Sequence, residues 1–121
     1  MRERQKSAGV QRLLHAFRNS CNGLVSAFKS ERAFRQEVAL AVVLIPLGIY
    51  VGGSALERAL LIASVLLLLL VELINTAIEA VVDRIGPERH ELSGLAKDVG
   101  SSAVLLSLII LCVVWGFVLF G

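Results

Sequence analysis

Apolar side chains in this chain fall into three long runs separated by short polar turns. The first covers residues 38–51, broken only by Pro46 and Gly48, and extends back through Ala33 and Phe34. The second starts at Ala59, is apolar apart from Ser64 up to Val71, and continues as ELINTAIEAVVDRI at helical spacing. The third, residues 103–120, has Ser107 as its single polar side chain. At about 1.5 Å of rise per residue, roughly 20 helical residues cross a hydrocarbon core. None of the runs alternates polar with apolar residues, as the strands of a membrane barrel would. The pattern therefore predicts an all-α membrane protein, a bundle of three transmembrane helices at about 34–52, 56–84 and 99–120. Gly52-Gly53-Ser54 predicts the first turn, and Gly86-Pro87 ends the second helix.

The N-terminal segment has a different period. Val10, Leu13, Leu14, Phe17, Cys21, Leu24, Val25 and Phe28 recur at the 3, 4 and 7 spacings of one helix face, while Arg12, His15, Arg18 and Lys29 occupy the other. This predicts an amphipathic surface helix over about 8–30, apolar face in the acyl boundary and basic face toward anionic headgroups. With three spans, it accounts for residues 1–121 as one integral-membrane domain. The first 35 residues lack the apolar stretch of a cleavable signal peptide, so none is expected.

Composition agrees with the membrane reading. Of 121 residues, 56% are hydrophobic and 18% charged, with a mean hydropathy of +0.78; soluble domains run about 45–50% apolar and about 25% charged. A net charge of +2 is too small for a nucleic-acid module, and no nucleic-acid partner is expected. The two cysteines, Cys21 and Cys112, form neither a disulfide framework nor a metal spacing.

The position of the basic residues is more informative than their number. Eight Lys and Arg precede residue 36, one (Arg58) lies between the first two spans, three (Arg84, Arg89, Lys97) lie around the second connection, and none follows. Grouping the N-terminus with the second connection gives eleven against one. The positive-inside bias then puts the N-terminus in the cytoplasm and the C-terminus outside.

Glu72, Asn75, Thr76, Glu79 and Asp83 fall within an arc of about 100° on the second span. Ile74, Ala77, Ile78, Val81 and Val82 lie on the opposite side. A charge at mid-bilayer costs at least about 2.5–3.5 kcal/mol, so this stripe faces protein, water or a cation rather than lipid. Further charges gather on the same side: Glu31, Arg32, Arg35 and Glu37 at the entry to the first span, and Glu88, His90, Glu91, Lys97 and Asp98 in the second connection and at the entry to the third. Carboxylates beside basic groups suit a divalent cation with a polyphosphate, because Mg²⁺ takes one or two carboxylates plus substrate phosphates. No phosphate-binding loop, dinucleotide fingerprint or protein-kinase element is present. The residues alone thus lead to a cation-loaded carboxylate site facing the cytoplasm. A small proton-coupled exporter and a non-catalytic assembly subunit stay open at this point.

The stretch ELINTAIEAVVDRIGPERHELSGLAKDVGSSAV, residues 72–104, resembles prokaryotic diacylglycerol kinase, and RLLHAFRNSCNGLVSAFKSERAFRQE, residues 12–37, agrees in layout. The resemblance implies a homotrimer of three-span subunits with active sites shared between them. It also implies transfer of the γ-phosphoryl group of ATP, as its Mg²⁺ complex, to the primary hydroxyl of the membrane lipid diacylglycerol, giving phosphatidic acid. By resemblance, Glu72 is the general base and Asn75 its neighbour, while Glu31 and Glu79 hold the cations and also contact ATP. Glu88, His90, Lys97 and Asp98 match nucleotide-contacting positions, as do Arg12 and Asn19 on the surface helix. Arg12, Arg35, Glu72 and Ser101 match positions near the lipid. Leu95 stands where the family pattern leads one to expect a basic residue. An undecaprenol kinase, the same chemistry on a polyprenol, is the alternative.

Overall fold

The computed structural model describes residues 2–88 and 90–121, with side chains from residue 8 onward. Arg89, counted above among the basic residues of the second connection, lies outside the described residues. The described chain forms four helices: α1 (Arg2–Ser30), α2 (Arg32–Val51), α3 (Ala55–Ile85) and α4 (Glu91–Phe120). Among the described residues there is no strand. The chain divides into two compact units, one ending at Arg32 and the other running from Ala33 to Gly121.

The first unit is essentially α1. It starts several residues earlier than the amphipathic pattern predicts, because polar residues 2–7 continue the helix. Glu31 interrupts the helical path, its amide donating to the Ala27 carbonyl at 2.8 Å.

In the second unit, α2, α3 and α4 are each long and apolar enough to cross a membrane. The α2–α3 turn comprises Gly52, Gly53 and Ser54. Ser54 caps α3 by accepting the Glu57 amide at 3.2 Å, and the Glu57 carboxylate reaches back to the Gly53 amide at 2.6 Å. Arg58 donates through Nε to the Ile49 carbonyl at 3.1 Å, satisfying an orphan acceptor at the end of α2. At the far end of α3, Gly86 has φ 151°, a conformation that costs a side chain but not glycine. The helix stops there, as the Gly86-Pro87 pair predicts.

The start of α4 differs from the sequence expectation. The helix begins at Glu91 rather than near residue 99, so Lys97 and Asp98 ride on its first turns. His90 caps it, accepting the Leu92 amide on Nδ1 at 3.1 Å. Hydropathy located only the part of α4 that is apolar, whereas its polar first turns are equally helical.

Leu61, Val65 and Leu68 of α3, Leu111 and Trp115 of α4 and Ala41 of α2 form one buried cluster. Gly48 brings α2 close to it, since a Cβ there would stand 3.2 Å from the Leu61 Cβ and 3.6 Å from the Trp115 ring. Trp115 donates through Nε1 to the Ser64 hydroxyl at 3.2 Å, which itself donates to the Leu61 carbonyl at 2.8 Å. Every polar atom of this interior pair thus has a partner. Val42, Ile74, Val81, Leu105 and Leu106 are exposed, whereas Ser64, Glu72, Asn75 and Ser107 are buried. An apolar exterior over an interior that also holds polar groups is the distribution of a chain whose surroundings are not water.

Candidate functional site

Beyond Leu68 the α3–α4 seam changes character. Glu72 is 5% exposed and Asn75 7%; Thr76 and Glu79 are half-buried, and Asp83 is open. The α3 stripe therefore runs from the protein interior out to the surface, and its opposite face, with Ile74 and Val81, is exposed. Asn75 donates through Nδ2 to Oε1 of Glu79 at 3.3 Å. Its Oδ1 is buried without a hydrogen-bond partner among the described residues, as are Oγ1 of Thr76 and Oε2 of Glu37. Unpaired buried acceptors cost about 1–3 kcal/mol each. Three in one region are a cost that a bound ligand would relieve.

Glu37 comes from α2, close enough to Glu72 for the two carboxylates to repel. From α4, the Lys97 ammonium pairs with Oδ1 of Asp83 at 2.6 Å and lies within electrostatic reach of Glu79. The pair is solvated, with the Lys97 and Asp83 side chains 45% and 65% exposed, so it contributes little to stability. Beside it opens a cavity of about 550 Å³ lined by Asp83, Glu88, His90, Glu91 and Lys97 among others. The His90 cap on Leu92 leaves Nε2 as the donor-bearing nitrogen of the neutral ring.

Of the residues expected from sequence, the second unit thus brings Glu72, Asn75 and Glu79 together with Lys97, and places Glu88 and His90 around the adjoining cavity. Asp98 is exposed on α4, where its carbonyl accepts the Ser102 hydroxyl at 2.9 Å. Ser101 and Leu95 are exposed on the same helix, and Arg35 is half-buried on α2. Arg12 and Asn19 are exposed on α1, seven residues apart and so on one face. Glu31 is half-buried at the end of the first unit.

Glu37, Thr76, Asp83 and Gly100 also belong to this region but were outside the expected site set. Glu37 carried a usable signal, since it lies inside the predicted first span and the cost of an intramembrane carboxylate applies to it as to Glu72. Gly100 carried none: a Cβ there would collide with Oδ1 of Asn75, which only the packed helices reveal.

Among the described residues, no three His, Cys, Asp or Glu side chains converge as a metal site. What does occur is the Glu79 carboxylate, half-buried and within electrostatic reach of the Lys97 ammonium. Such a hard oxygen donor fits a Mg²⁺ ion that completes its shell with phosphate oxygens and water rather than with a protein cage.

Comparison with known proteins bears on the family of the chain. A family model described as prokaryotic diacylglycerol kinase matches residues 18–119. The diacylglycerol kinase of Haemophilus influenzae is 52% identical over 115 residues, covering 95% of this chain and 98% of that protein. The diacylglycerol kinase of Pseudomonas aeruginosa is 50% identical over 113 residues, 93% of this chain and 92% of that one. The diacylglycerol kinase of Escherichia coli K12 is 45% identical over 115 residues, 95% of this chain and 94% of that one.

Proposed function

The chain belongs to the prokaryotic diacylglycerol kinase family and is an enzyme of that kind, and on that premise we propose that it phosphorylates the primary hydroxyl of diacylglycerol with ATP, giving phosphatidic acid. The reaction takes place at the cytoplasmic face of a bacterial inner membrane, with the N-terminus inside and the C-terminus in the periplasm. The burial of Glu72 beside Asn75, on the seam that also carries Glu79 and Lys97, is the observation that most supports this reading. A single apolar phase holds the lipid, and the polar end of the same seam opens on a cavity whose three carboxylates and one ammonium suit phosphates carried as their cation complex. Relatives at 45–52% identity all bear the diacylglycerol name, so the polyprenol alternative is not favoured.

Phosphoryl transfer asks a protein for alignment and charge neutralisation more than for covalent chemistry. The lipid oxygen forms a bond to the γ-phosphorus, the bond from that phosphorus to the β,γ-bridging oxygen breaks, and ADP leaves. Glu72 takes the proton of the attacking hydroxyl, with Asn75 beside it. Lys97 turns from Asp83 to offset charge on the phosphates, and Glu88, His90 and Asp98 contact the nucleotide, joined by Arg12 and Asn19 of α1. Glu31 and Glu79 would hold Mg²⁺, which when bound supplies charge neutralisation and orientation at the transferring group. Arg35, Ser101 and Arg12 lie toward the lipid headgroup. Exposed Val10, Leu13, Leu14 and Phe17 on α1 suit a helix lying in the acyl boundary, under which a diacylglycerol slides laterally. Three helices do not enclose such a site, which favours a homotrimer with sites shared between subunits.

The test is direct. Purified protein in mixed micelles with labelled ATP and Mg²⁺ converts diacylglycerol to phosphatidic acid and leaves undecaprenol nearly untouched. Failure to label any lipid alcohol removes the proposal.

A further inference from the structure

We propose that Gly100 is a positioning residue: by lacking a Cβ it seats the Asn75 carboxamide between α3 and α4, and through it orients Glu79. The proposal rests on the reading of Glu79 as a cation ligand. Gly100 is buried on α4, and the atom that a Cβ there would strike is Oδ1 of Asn75, with Cγ of the same carboxamide at 3.4 Å and Cδ1 of Ile78 at 3.9 Å. Backbone is not among these neighbours. The other half of the Asn75 carboxamide donates to Glu79 at 3.3 Å, which sets which end faces Gly100. The space left by the glycine is thus occupied by the unpaired oxygen of a residue whose amide steers a carboxylate.

Gly48 shows how a packing glycine differs. A Cβ there would press on the Leu61 Cβ at 3.2 Å while resting on the Trp115 ring at 3.6 Å, and a Cβ locked in the core has nowhere to go. At Gly100 the obstructing atom is the free end of a flexible side chain. An added methyl group therefore displaces the carboxamide rather than the helices, and the hydrogen bond to Glu79 is lost. Gly116 on the same helix has nothing within 4 Å of a built Cβ and serves as the control.

The experiment reads the carboxamide itself. The chain has three asparagines, Asn19, Asn22 and Asn75, so selective ¹⁵N-asparagine labelling in micelles yields three side-chain NH₂ pairs, with Asn75→Ser identifying the one from Asn75. Gly100→Ala is expected to remain helical, to move the Asn75 pair and to leave the other two in place; Gly116→Ala moves none. In the kinase assay Gly100→Ala raises the Mg²⁺ requirement about tenfold, the weight of one lost hydrogen bond to a carboxylate, while the KM for diacylglycerol changes less than about twofold.

An unmoved Asn75 pair overturns the proposal. So does loss of helical content in Gly100→Ala, because the glycine would then serve backbone packing. An unchanged Mg²⁺ titration in Gly100→Ala, with Glu79→Gln strongly shifted, overturns the relay from Asn75 to Glu79. If Glu79→Gln itself leaves the titration unchanged, the ligand reading of Glu79 fails, and the Asn75 resonance still decides the contact.

Discussion

The two halves of the α3–α4 seam are built from the same two helices but treat polar groups in opposite ways. In the half around Leu61, Leu68, Leu111 and Trp115, the buried hydroxyl of Ser64 both accepts from Trp115 and donates to a carbonyl. In the half from Glu72 to Asp83, the buried oxygens of Asn75 and Thr76 have no hydrogen-bond partner among the described residues, nor does that of Glu37 opposite. Apolar packing with satisfied polar atoms is what a fold needs to hold its shape. Acceptors held open against repulsion between carboxylates are what a ligand needs to find. On the function proposed above, the first half is the scaffold and the second the working end, and substitutions should sort accordingly.

The largest expected effect is at Glu72. Glu72→Gln lowers kcat by about 10²–10⁴, the usual contribution of a general base, with an unaltered melting profile; turnover near the unmodified rate would remove the base assignment. In the scaffold half, Leu68→Ala costs about 2–5 kcal/mol of stability, while the KM for ATP of the folded fraction holds. A selective rise in that KM would show that the two halves are not separable. Trp115→Phe removes one satisfied interior donor and lowers stability by about 0.5–1.5 kcal/mol, read from denaturant midpoints, without moving the Mg²⁺ requirement. The smallest change is Asp83→Asn, which frees Lys97 for phosphate. The KM for ATP falls about two- to fivefold at low salt and the difference fades as salt is added; a rise in KM would mean that Asp83 orients Lys97 rather than competing for it.

Much of the scaffold was legible from hydropathy. The long apolar runs fall within α2 and α3, both long and apolar enough to cross a membrane, because an apolar stretch of that length is satisfied in hydrocarbon only as a helix. The α4 boundary was misplaced for the complementary reason: residues 91–98 are helical but polar, and hydropathy does not register a helix that leaves the hydrocarbon. The acidic stripe was legible too, since a spacing of 3, 4 and 7 residues fixes which side chains share a face whatever lies opposite. Glu37 was visible as a charge, but its approach to Glu72 depends on how α2 is rotated against α3.

The order of residues was enough to determine three spans, the terminating glycine at Gly86 and one acidic face on α3, because each follows from periodicity, transfer cost or backbone sterics within a single segment. Only the tertiary structure decided that this face turns inward against α4, that Lys97 reaches Asp83, and that Gly100 makes room for Asn75. Those outcomes depend on the separation and rotation of helices whose mutual fit involves side chains 14 to 51 positions apart along the chain, and no local pattern encodes such distances.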